Sequence, residues 1–241
     1  MKRKFHDGEE RLFRRGTKGS NAYAEGCDTG SISEPRMPGT QSADTQSAET
    51  QPTEALLRSF IRMMDLKGLY RQGWLKRGVP ENRAESVADH SFGTALLALL
   101  LAERLKASPE FLGLNSHRCI EMALVHELGE VYVGDITPVD GVSREEKYVR
   151  EREAFIKVVE SLPNRDRLLE LWEDFEAGRS PEARFVRQLD RLEMGLQAAL
   201  LKAEGYQRMD EFLESAHRTV TQPDLKALLI LAETKAGDTP L

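Results

Sequence analysis

The sequence predicts an all-α domain behind a disordered N-terminal extension. From Thr53 onward, apolar residues recur at three- and four-residue spacing in segments opened by capping residues and closed by glycine. No run alternates strictly between apolar and polar residues, as a half-buried strand would. Residues 1–52 are rich in Gly, Ser, Thr, Asp and Glu, poor in aliphatics, and carry the echo TQSAD-TQSAE from Thr40. Such a stretch buries too little apolar surface to offset the entropy of ordering it, so the domain is expected over 53–241.

Thr53 is placed to cap a first helix, with Leu56, Leu57, Phe60, Ile61 and Met64 forming one apolar face and Gly68 its end. The loop GWLKRGVPENR follows. A second helix is expected from about Glu85 to Leu105; it is apolar nearly all round from Ala95 to Ala102, which marks it as central. Ser116 can cap a third, with Cys119, Ile120, Ala123 and Leu124 on its buried side and Gly134 past its end. Ser143 and Glu146 make a capping box for a fourth, reaching about Leu162. Asn164 to Ala177 forms a fifth, stopped by Gly178. Ser180 followed by Pro181 opens a sixth that runs to Gly205, and two shorter helices, near Met209–Val220 and Pro223–Ala236, close the domain.

Composition narrows the function classes. The chain has 241 residues, 40% hydrophobic and 31% charged, enough for one sizeable core. A net charge of -6 argues against a surface that coats nucleic acid, although the first eighteen residues carry seven Lys or Arg. Two cysteines, Cys27 and Cys119, stand far apart in unlike contexts, which suggests neither a disulfide framework nor a thiolate metal knuckle and fits a reducing cytoplasm. The longest apolar run, Ala95 to Ala102, is about half of a membrane span, and charges occupy the place of a signal peptide's apolar segment.

Against this background VHELGEVYVGDITP, Val125 to Pro138, stands out because His126, Glu127, Glu130 and Asp135 crowd the end of an apolar helix. His90 interrupts the start of the most apolar helix, and Asp190 lies between Leu189 and Leu192 in another. A bare carboxylate in a core costs several kcal/mol and either takes a proton or needs a cation. One divalent ion held by His90, His126, Glu127 and Asp190 explains all four anomalies. The mixed nitrogen and oxygen set suits Mn²⁺, Co²⁺, Mg²⁺ or Fe, and an octahedral ion would keep two positions for water and a substrate oxygen.

The order of these residues, seen as ADHSF, VHELGE and QLDRLE, resembles the HD-domain metal-dependent phosphohydrolases. RQGWLKRGV with ESVADH, then GDITP, SREEKYVREREA and ELWEDFEAGRSPEARFVRQLDRLEM, are similar to the blocks of its 5′-deoxynucleotidase subfamily, over roughly Leu56 to Ala236. The resemblance implies a single HD-domain helical bundle, usually a homodimer. It implies hydrolysis of a deoxynucleoside 5′-monophosphate to deoxynucleoside and phosphate with a divalent ion, Mn²⁺, Co²⁺ or Mg²⁺. By position it makes His90, His126, Glu127 and Asp190 the metal ligands and Glu130 and Asp135 the catalytic carboxylates. Trp74 matches a tryptophan lining the sugar pocket, and Arg71 and Arg77 are phosphate candidates. Two departures stand out. The family has Asp after the second histidine, where this chain has Glu127, one methylene longer, which implies altered metal preference or rate. Some members have an arginine at the position of Gly73; Lys147 is a substitute candidate for the phosphate. An HD hydrolase of another nucleotide, such as a deoxynucleoside triphosphate, and a nucleotide-binding regulator without turnover are the alternatives.

Overall fold

The structure is a computed structural model that describes residues 43–238. The tail reading for residues 1–42, with the basic stretch and Cys27, lies outside the described residues. Among those described there is no strand, and one isolated antiparallel bridge joins Tyr70 and Ser86.

Among the described residues ten α-helices follow one another: α1 Ala43–Met64, α2 Gln72–Leu75, α3 Val87–Leu105, α4 Ser116–Val125, α5 Glu130–Val133, α6 Arg144–Val159, α7 Arg165–Ala177, α8 Pro181–Ala203, α9 Asp210–Thr219 and α10 Pro223–Asp238. The longer ones start where the sequence offers a cap. Ser86 opens α3 with a reciprocal capping box to Asp89, and Ser143 and Ser180 accept the backbone N–H of Glu146 and Ala183. Gly178 closes α7 in the left-handed conformation (φ 61°), where a side chain would be strained.

The centre is α8, not the second predicted helix. α8 packs against α3, α4, α7, α9 and α10, and its residues Phe185, Val186, Leu189, Leu192, Ala198 and Leu201 are fully buried. The apolar run of α3 is two-sided: the small residues Thr94, Ala95, Ala98 and Ala102 face inward, while Phe92, Leu96, Leu99 and Leu100 remain exposed. Small inward residues let α3 lie close to α4 and α8, leaving its larger side chains on the outer face.

Four other expectations are corrected. The first helix begins at Ala43 rather than at a Thr53 cap, and Pro52 removes one N–H without ending it. Its apolar face is not in the core, since Leu56, Leu57, Phe60 and Ile61 are each 53–57% exposed. The segment GWLKRGVPENR is not all loop, as α2 covers its start. The third predicted helix is cut in two: Asn115, not Ser116, caps α4, which stops at Val125, and residues 126–129 form a turn before α5. Gly134 does end this region, at φ 80°.

Candidate metal centre and active site

The turn after α4 exists because its surroundings fix it. The Trp172 indole N–H donates to the His126 carbonyl at 3.1 Å, satisfying an oxygen that a continuous helix would have used. Glu130 N–H donates to Glu127 C=O at 3.0 Å, a tighter step than the α-helical one. Gly129 is required here for space: a Cβ would stand 2.8 Å from the Glu151 carbonyl oxygen of α6. The turn therefore packs backbone against backbone and aims His126, Glu127 and Glu130 at one place.

His90, His126, Glu127 and Asp190, from α3, the turn and α8, bring four ligand atoms within 4.8 Å of one another. His90 Nε2 is 3.1 Å from Asp190 Oδ1 and 3.8 Å from Glu127 Oε1, and His126 Nε2 is 3.6 Å from that same oxygen. Burial lowers the His126 pKa, so its ring is neutral. Its Nδ1–H donates to the Ala123 carbonyl at 2.8 Å, and Nε2 keeps a buried lone pair with no hydrogen-bond partner. Such a lone pair beside two carboxylates suits a cation, so the donor set fits a divalent metal.

The charges are set by opposing influences. Burial would raise Glu127, but the charged neighbours Arg71 and His90 hold it down at about 2. Burial also opposes ionisation of Asp190, yet Arg191 and His90 hold it well below the usual carboxylate range. For His90, burial and Arg71 act downward, and the carboxylates of Asp190 and Glu193 outweigh them, lifting it to about 10. Glu130, 1% exposed, goes the other way: burial, reinforced by Glu127 and Asp135, pushes it well above the ordinary range, and its Oε2 has no partner. Burial therefore favours the protonated form of Glu130.

Arg71 enters through the bridge at the start of α3, where its N–H donates to the Glu85 carbonyl at 3.0 Å. Its guanidinium is 3.1 Å from Glu127 and 4.0 Å from Asp135. Asp135 also accepts the Gln72 N–H, which ties α2 to the loop after α5. Lys147 reaches in from α6, 3.3 Å from Glu151 and 4.0 Å from Glu130. Trp74 is buried; its indole N–H donates to Glu85 at 2.9 Å, and its ring lies 4.4 Å from that of Phe212. Phe212 also closes the space beside Gly73, where a Cβ would be 3.1 Å from its ring. Arg77 is not brought to the cluster: its guanidinium pairs with both oxygens of Glu211.

Three carboxylates around the centre escaped the sequence reading. Glu193 accepts from His90 Nδ1, Glu151 pairs with Lys147, and Glu85, which burial and Glu193 push up to about 7, receives Trp74. Two left a trace in sequence: Glu193, three residues after Asp190 on the same face of α8, and Glu151, four after Lys147 on α6.

Residues 63–229 match the HD domain family. The chain is 38% identical to the human protein named 5′-deoxynucleotidase HDDC2 over 178 residues, 72% of this chain and 82% of that one. It is 32% identical to the protein of the same name from Dictyostelium discoideum over 176 residues, 70% of this chain and 92% of the other. Among solved structures, the PH0347 protein from Pyrococcus horikoshii OT3 superposes with a TM-score of 0.61 at 32% identity, over 76% of this chain and 98% of that one. The match extends through the segments that supply His90, His126, Glu127 and Asp190, and the chain belongs to the HD-domain family.

Proposed function

We propose that this chain is a divalent-metal-dependent phosphomonoesterase that converts deoxynucleoside 5′-monophosphates to deoxynucleoside and phosphate. The observation that carries the reading is the donor cluster, with the unpartnered His126 Nε2 inside it and the buried Glu130 carboxyl beside it. The names of the human and Dictyostelium relatives supply the substrate class.

Hydrolysis breaks the P–O5′ bond, puts a water oxygen on phosphorus, and delivers a proton to the departing 5′ oxygen. A divalent cation supplies Lewis acidity, lowering the pKa of water and offsetting phosphoryl charge. His90, His126, Glu127 and Asp190 would hold it, and their nitrogen and oxygen donors favour Mn²⁺, Co²⁺ or Mg²⁺. Arg71, held charged by Glu127 and Asp135, offers the phosphate a guanidinium. Arg77, already engaged by Glu211, is the weaker candidate. Glu130 holds the proton that the leaving oxygen needs. In this reading Asp135, pinned by Gln72 N–H, serves as its catalytic partner, and Trp74 as the rigid wall on the sugar side.

Two further parts of the reading concern the setting. The exposed apolar faces of α1 and α3 suit a homodimer. No helix among the described residues is long and apolar enough to cross a membrane, and the buried Cys119 thiol suits a reducing cytoplasm.

A screen of phosphate release from deoxy- and ribonucleotides at each phosphorylation level, across Mn²⁺, Co²⁺ and Mg²⁺, tests the proposal. The expected result is release from deoxynucleoside monophosphates, reduced about 10²–10⁴-fold by Glu130→Ala. Preference for a triphosphate would move the chain to another nucleotide, and tight binding without release in any metal would make it a regulator.

A further inference from the structure

We propose that Glu193 is a positioning residue for His90: its carboxylate takes the Nδ1 hydrogen and thereby presents Nε2 to the metal centre. This rests on the reading of His90 as a ligand. His90 is fully buried between two carboxylates of α8, with Nδ1 2.5 Å from Glu193 and Nε2 3.1 Å from Asp190. Asp190 and Glu193 are three residues apart, so one face of one helix grips both edges of the ring. A carboxylate is an acceptor, so the nitrogen facing Glu193 keeps its hydrogen, and Nε2, whose proton toward Asp190 a cation would displace, supplies the lone pair.

The seat of Glu193 is shaped by α3. A Cβ at Gly93 would stand 2.7 Å from Glu193 Oε1 and 3.0 Å from its Cγ. Gly93 lies three residues beyond His90, so the helix that carries the ring also leaves the gap that admits its partner. His126 achieves the same tautomer by another route, donating Nδ1–H to the Ala123 carbonyl. Each histidine thus has Nδ1 engaged away from the cluster and Nε2 aimed into it.

Glu85, His90 and Glu193 also bring ligand atoms within 4.8 Å of one another, which could be taken for a second cation site. That would require His90 to ligate through both nitrogens, as an imidazolate. A hydrogen-bonded carboxylate asks only for the ordinary neutral ring.

The test uses the full chain, stripped with chelator and titrated with Co²⁺, followed by calorimetry and visible absorption without nucleotide. Glu193→Leu should weaken Co²⁺ binding about 10–100-fold and change its absorption band, while Glu193→Gln, whose amide oxygen still accepts from Nδ1, should keep most of the affinity. Gly93→Ala, which pushes Glu193 aside, should shift affinity in the same direction and serves if the leucine variant does not fold. Unchanged affinity and spectrum in both Glu193→Leu and Gly93→Ala would overturn the proposal. So would two ions per wild-type chain falling to one in both Glu193 variants, since Glu193 would then be a ligand. Because binding is read without turnover, wild-type protein that binds Co²⁺ yet releases no phosphate from any nucleotide counts against the proposed function alone.

Discussion

Around His126 burial acts on every ionisable group, and the neighbours decide which ones stay charged. Glu151 is a clear case: burial raises its pKa to about 7, and Lys147 offsets only part of that rise. The sign follows from linkage. A carboxyl raised in the folded state adds stability that is fully present below its ordinary pKa and is lost as pH climbs through the folded value. Glu151→Gln should therefore match the wild type in Tm below about pH 4.5 and exceed it increasingly up to about pH 7, in thermal unfolding across that range. A constant offset between the two proteins would show that Glu151 does not titrate in this window. Legibility at this scale depended on contrast. His126, Glu127 and Glu130 were visible because they interrupt an apolar helix, and Asp190 because it sits between leucines. Glu193 was not, because a charge on an amphipathic helix is ordinary until its tertiary partner, His90, is known. The same is true of Arg77, whose partner Glu211 lies far along the chain.

Helices whose limits are set by local chemistry were readable, and those set by packing were not. Ser143, Ser180 and Gly178 act through neighbouring backbone, so sequence placed their helix ends to within a residue or so, and the start of α3 at Ser86 to within two. The turn between α4 and α5 contains no breaker before Gly129; it depends on Trp172 and on the backbone of α6, both distant in sequence. Gly129→Ala tests this dependence. Its methyl group meets a carbonyl that cannot rotate away, so α5 and α6 must separate. Overpacking of this kind costs about 1–3 kcal/mol, and calorimetry should show a Tm lower by several degrees. Metal affinity should fall too, because Glu127 and Glu130 ride on the displaced turn. A variant with wild-type Tm and Co²⁺ affinity would mean that the contact relaxes freely.

For the molecule as a whole, the all-α class followed from periodicity, but the distribution of inside and outside did not. A stripe of Leu56, Leu57, Phe60 and Ile61 has the same period whether it faces a core or a partner, and in α1 it is more than half exposed. If these faces mediate the proposed dimer, Leu57→Asp with Phe60→Asp should weaken self-association by at least about tenfold in sedimentation equilibrium, since hot-spot side chains are commonly worth 2 kcal/mol or more. Wild-type protein that sediments as a monomer at high concentration would remove the dimer from the reading. One further consequence lies at the join of α2 and α9. Phe212 rests against Trp74 and fills the space beside Gly73. Positions 73 and 212 are therefore a linked pair: a guanidinium introduced at 73 alone displaces the ring that supports the tryptophan, whereas a smaller residue at 212 opens the way first. The order in which two substitutions are made decides whether the path between this site and an arginine-bearing one is passable.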